Sequence, residues 1–180
     1  MTIGVLREQM PETRVAITPE GVKALVALQC ELYIEKDAGN NAFFTDVQYI
    51  EAGAKIVSRA DILGKSDIVL TINSLQEKEF KSIKSSALLI GCFNPFFNLD
   101  FIKILQQSGF TSFSMELVPR TTRAQAMDIL SSMATVAGYK AVLEAALELP
   151  KFFPMFMSAA GTIKPAKMLI LGAGVAGLQA

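Results

Sequence analysis

Short apolar runs alternate with amphipathic stretches along the first two-thirds of the chain. "TIGVLRE" (Thr2 to Glu8), "ELYIEKD", "SDIVLTI" (Ser66 to Ile72), "ALLIGCF" (Ala87 to Phe93) and "FTSFSMELV" read as buried strands, with "KIV" as a short further one. Between them, "TPEGVKALVALQC" predicts a helix. Thr18 is its N-cap, Pro19 its first residue, and Val22, Leu25, Val26 and Leu28 fall at helical spacing. "TDVQYIEAGA" predicts a short helix capped by Thr45 and closed near Gly53. "QEKEFKSIKSS" predicts another, and "NLDFIKILQQSG" a third, capped by Asn98 and stopped by Gly109. This alternation implies an α/β fold of Rossmann-like or flavodoxin-like kind, a mostly parallel sheet with helices on both faces.

From Thr122 the pattern changes. "TRAQAMDILSSMATVAGYKAVLEAALELP" predicts one long helix ended by Pro150, bent or broken at Gly138. An apolar strand, Met168 to Leu171, then enters Gly172-x-Gly174-x-x-Gly177. The expected organisation is an N-terminal α/β lobe over 1–121, a bridging helix over 122–150 and a linker over 151–166. Residues 167–180 are expected to be the first strand and glycine turn of a truncated Rossmann lobe.

Composition narrows the chemistry. Basic and acidic residues balance at 17 each, with no basic tract, which argues against a nucleic-acid partner. No apolar stretch is long enough to span a bilayer, and the N-terminus lacks a signal-peptide core. Cys30 and Cys92 lack metal-ligand spacing and read as buried free thiols of a soluble protein in a reducing compartment. No histidine is present, so a histidine base or zinc ligand is excluded for this chain, and no metal site is expected.

In the glycine pattern the first glycine permits a tight turn, the second lets a pyrophosphate approach the backbone, and the third lets helix pack on strand. The alternative is a tight strand-to-helix turn and nothing more. The acidic residue expected about 20 positions further on, for the ribose, lies beyond Ala180. In "PRTTRAQAMDILSS" a helix would put Gln125, Asp128 and Ser132 on one face, with Ser131 beside them and Arg120 just before. Such a face could hold the carboxamide and ribose of a nicotinamide. Equally, Thr122-x-x-Gln125 fits a capping box, and Asp128 then merely suits the helix dipole. Arg14 is either an anion-binding arginine or a surface charge.

"RVAITPEGV", "AGAKIV", "MELVPRTTRAQAMDILSSMATVAGYKAV", "FPMFMSAAGT" and "LGAGVAGLQA", in this order, resemble the NAD(H)-binding alpha subunit of proton-translocating NAD(P) transhydrogenase, a family related to alanine dehydrogenase. The resemblance covers the whole chain. It implies two α/β lobes with NAD(H) between them, and NADP(H) on a separate partner domain. It further implies a homodimer, cytoplasmic and held at the inner membrane through partner subunits, that couples hydride transfer to proton movement. By position it assigns Arg120, Gln125, Asp128 and Ser131 to the nicotinamide end, and Gly172, Gly174, Val175 and Gly177 to the pyrophosphate turn. No catalytic acid or base is implied, because hydride passes from ring to ring. Alanine dehydrogenases place a catalytic histidine near "LLIGCF" and a lysine near "LTIN". Here Cys92, Phe93 and Thr71 stand in those regions, while Arg14 is kept, so amino-acid deamination is disfavoured. The chain is expected to be inactive alone. The competing expectation is a non-catalytic α/β dimerisation module.

Overall fold

The computed structural model describes residues 1–180, which divide into two compact units, Met1–Leu117 and Val118–Ala180. In the first unit β1 (Thr2–Val5), β2 (Glu31–Glu35), β3 (Lys55–Val57), β4 (Ile68–Leu70), β5 (Leu88–Gly91) and β6 (Thr111–Ser114) form one sheet. Its order is β3-β2-β1-β4-β5-β6 and every pairing is parallel. That is the doubly wound order, reversing between β1 and β4.

Alternation along the strands loads both faces. Ile3, Val5, Leu32 and Ile34 pack with Val22 of α1 (Pro19–Ala27) and Tyr49 of α2 (Asp46–Glu51). Val69 and Leu89 point the other way. They join Ile62 and Leu63 of α3 (Arg59–Lys65) and Phe101 and Leu105 of α4 (Leu99–Ser108). Gly4 faces this second side, where α3 lies so close that a Cβ would stand 2.4 Å from Ile62 Cγ2.

Local chemistry explains the helix starts. Thr18 Oγ1 accepts from Gly21 N with Pro19 at the first position. Thr45 and Gln48 form a reciprocal capping box, and Phe44 packs edge-on against Tyr49 as a hydrophobic staple. The helix α3 is one that periodicity does not predict. Its two turns carry few apolar positions, yet Ser58 Oγ accepts from Asp61 N, a start signal the sequence does contain. Three other expectations are corrected in whole or in part. Residues Glu77–Ser82 form a 3₁₀ segment rather than an α-helix. Asn98 stands at the N-cap of α4 as expected but makes no side-chain cap bond, and its Nδ2 donates to Ser74 Oγ at 3.1 Å. Cys30 and Cys92 are free thiols but only half-buried.

In the second unit, α5 (Ile129–Glu148) is continuous through Gly138, with no bend-forming break. It begins seven residues later than the spacing predicts. Residues Gln125–Met127 make a separate 3₁₀ turn. The stretch expected as a linker contains a hairpin of β7 (Phe156–Ser158) and β8 (Gly161–Ile163), with Phe152 stacked on Phe156 at 5.4 Å. Met168–Leu171, expected as a strand, pairs with no other segment and belongs to neither sheet. The chain then turns into α6 (Val175–Gln179).

Candidate functional site

The glycine turn has three distinct geometries. Gly172 has φ +110, a conformation that side-chain-bearing residues rarely adopt. Gly174 is the N-cap of α6, and a Cβ built there would meet nothing within 4 Å, so backbone is open on that side. At Gly177 a Cβ would stand 2.1 Å from the Gly172 carbonyl oxygen, so the helix rests directly on the turn. Val175, the first helical residue, is partly exposed. This geometry fits a pyrophosphate: a tight turn, one open face of backbone and a closed back.

At the start of α5 the expected shared face is not formed. Asp128 has φ -76 and ψ 92, outside the helix, and serves as its N-cap. Its carboxylate accepts from Ser131 N at 3.0 Å and from Ser131 Oγ at 2.6 Å. Aspartate is a strong cap and a poor interior helix former, which is why the helix begins after it. The Ser131 hydroxyl and amide hold the Asp128 carboxyl below its usual range. Gln125 lies in the preceding 3₁₀ turn without a cap bond, so the Thr122–Gln125 capping box is absent. Arg120 Nε stands 4.0 Å from Asp128 Oδ2, with its side chain 73% exposed. The structure thus joins the side chains of Arg120, Asp128 and Ser131 in one chain of contacts, while Gln125 meets Asp128 through its backbone carbonyl, which accepts from Asp128 N at 3.2 Å.

In the first unit a cleft of about 370 Å³ opens at the C-terminal ends of β1 and β4, where the strand order reverses. Spacing gives no hint of it, since its residues come from three separate segments. Glu8, nearly buried, accepts from Thr71 Oγ1, Ile72 N and both the backbone N and Nδ2 of Asn73. Arg59 donates to Glu79, to Glu35 and to the Arg7 carbonyl. Burial alone would raise the Glu79 pKa, but the Arg59 guanidinium and the Gln76 amide bring it below its ordinary value. Beside the cleft, Arg14 is committed internally: Nε donates to Glu12 Oε1 at 2.8 Å and Nη2 to Oε2 at 2.6 Å. This fork pulls the Glu12 carboxyl down to about 2. Burial, reinforced by the Glu116 charge, pushes the Cys92 thiol up, which disfavours a reactive thiolate. Each carboxylate lining the cleft is therefore already paired within the protein.

The family model "Alanine dehydrogenase/PNT, N-terminal domain" matches residues 4–137, and "Alanine dehydrogenase/PNT, C-terminal domain" matches residues 141–180. The chain is 44% identical over its whole length to the NAD(P) transhydrogenase subunit alpha of Haemophilus influenzae, covering 35% of that protein. It is 29% identical to an alanine dehydrogenase of Methanococcus maripaludis, again over its whole length and 49% of the relative. Among solved structures, transhydrogenase from Sinorhizobium meliloti superposes with a TM-score of 0.95 at 40% identity, over 99% of this chain and 54% of that one. The chain thus spans between about a third and about half the length of these relatives. With the N-terminal-domain model alone accounting for residues 4–137, the chain belongs to the alanine dehydrogenase/PNT family.

Proposed function

We propose that this chain is the N-terminal part of the NAD(H)-binding subunit of an NAD(P) transhydrogenase. The observation that carries the reading is the likeness over the full chain to transhydrogenase alpha subunits, well above that to alanine dehydrogenases. The geometry of the second unit supports it. Gly172, Gly174, Val175 and Gly177 would hold the pyrophosphate of NAD(H). Arg120, Gln125, Asp128 and Ser131 would contact the nicotinamide end. Asp128 would present acceptor lone pairs to a carboxamide, and its bonds to Ser131 fix the orientation in which it does so. Bound NAD(H) would supply the hydride, and these residues need only position it.

In this reading NADP(H) sits on a separate partner domain, and hydride transfer is coupled to proton translocation by membrane partners. The chain itself contributes no helix long and apolar enough to cross a membrane; in this reading the partner subunits hold it at the inner membrane, on the cytoplasmic side. A homodimer suits the exposed hairpin: Phe156, Met157 and Ile163 all face solvent, and a two-stranded hairpin is marginal unless packed.

An NADH titration by calorimetry tests the proposal. It compares this chain with a form continued through the remainder of the C-terminal domain. Binding by the longer form is expected, followed by hydride exchange when the NADP(H)-binding partner is added. If the longer form ignores NADH, the assignment is wrong. Alanine-dependent NAD reduction would instead favour the dehydrogenase branch, which the absence of any histidine disfavours.

A further inference from the structure

We infer that Gly138 is a positioning residue: it sets how closely α6 lies on α5, and so where the glycine turn stands relative to Asp128 and Ser131. The inference rests on the dinucleotide reading above and deepens it. Gly138 is the one buried residue of α5. A Cβ there would stand 2.1 Å from the Ala176 carbonyl oxygen, 2.8 Å from its carbonyl carbon and 3.0 Å from its Cα. These are backbone atoms. The Ala176 carbonyl already accepts from Ala180 N at 3.0 Å, so it cannot swing aside without opening α6. Any side chain at 138 must therefore displace one helix from the other.

The displacement would matter because of where Gly138 sits. Seven residues, two helical turns, separate it from Ser131, so both lie on the same face of α5, about 10 Å apart along the axis. Ala176 is the second residue of α6, inside the glycine turn between Gly174 and Gly177. One face of α5 thus carries the Asp128–Ser131 cap at one level and the docked turn at the other. A dinucleotide bound as proposed has to satisfy both at once. Moving α6 away from α5 changes the span between the two ends while leaving each end intact.

Helix propensity predicts the opposite sign. In an α-helix interior alanine is preferred to glycine, so if Gly138 were only a weak point of α5, Gly138→Ala would firm the second unit. The experiment has two arms. Hydrogen exchange on this chain compares Gly138→Ala with the unsubstituted protein at the Leu178 amide of α6 and the Ala180 amide that closes its last turn. Faster exchange there, with the Ser131 and Ser132 amides unchanged, is expected. Unchanged or slower exchange in α6 overturns the inference, whether or not NADH binds. The second arm uses the form continued through the C-terminal domain, titrated with NADH and with ADP-ribose, which lacks the nicotinamide. NADH affinity should fall about tenfold or more in Gly138→Ala, with ADP-ribose affinity within about twofold. An equal loss for both ligands would mean a merely structural role and would overturn the positioning claim. Failure of the unsubstituted long form to bind NADH would sink the functional reading instead, leaving the exchange arm to decide the helix contact.

Discussion

Two helices show how differently the units use apolar sequence. The α4 helix, ten residues long, buries Phe101 and Leu105 in a core shared with Phe80, Leu89 and Phe93. The α5 helix is twice as long and more apolar in composition, yet buries only Gly138. Leu147 is 78% exposed and Leu169 83%, values more usual for lysine. Apolar composition states what gains from leaving water; it does not supply the surface that receives it. In the first unit that surface is the two faces of a six-stranded sheet. In the second unit the apolar groups of α5 and of Met168–Leu171 remain largely in solvent.

The sharpest way to break this comparison is to cut side chains from both regions. Phe93→Ala opens a hole between α4 and the sheet, and should cost about 3–5 kcal/mol in urea melts followed by circular dichroism. Leu147→Ala should change stability by less than about 0.5 kcal/mol in the same assay. Equal losses would mean that α5 is as well packed as α4, and the contrast would collapse.

A smaller effect probes the polar part of the first unit. Glu8→Ala leaves the Ile72 and Asn73 amides without their acceptor, while the Thr71 hydroxyl keeps the Asn73 carbonyl, so a loss of about 1–3 kcal/mol is expected from chemical denaturation. A neutral result would show that water replaces the carboxylate and that the cleft wall is not held by it.

An effect smaller than the loss at Glu8 concerns pH. The Glu12 carboxyl is drawn from 4.5 to about 2 by Arg14. Its pKa is lowered on folding, so its contribution is complete above the ordinary carboxyl range and disappears as the pH falls from about 4.5 towards 2. Arg14 is half exposed, so the pair is worth at most about 1 kcal/mol. Arg14→Gln should flatten that part of an acid-unfolding curve and remove its salt dependence. In the second unit the Asp128 carboxyl is lowered mainly by hydrogen bonds from Ser131, so high salt should leave its acid transition in place.

Strand-and-helix alternation is enough to read the doubly wound sheet, because each buried strand is an apolar run closed by polar punctuation. The two-turn α3 escapes: with only Ile62 and Leu63 buried, it has too few apolar positions to show a period, although Ser58 and Asp61 mark its start. The hairpin escapes because Ala159 and Ala160 occupy its turn, without the Asn-Gly or Asp-Gly signal that usually marks one. The glycine pattern is legible since each glycine answers a separate steric demand. The start of α5 is misplaced by spacing because one aspartate can belong to a helix face or cap it, and spacing does not separate the two. The switch-point cleft is invisible in the sequence, its walls meeting only when β1 and β4 pair.

That pairing has a consequence for synthesis. Ile3 of β1 lies beside Leu32 of β2 on one side and Ile68 of β4 on the other. At roughly 5–20 residues per second on the ribosome, β1 waits about 3–13 s after emerging before its β4 neighbour follows it out. Through that interval one edge of the eventual centre of the sheet has no native partner, with Ile3 and Val5 on an unpaired backbone. The nascent sheet is most open to mispairing there, and a chaperone that shields β1 until β4 arrives would protect the whole order of the sheet.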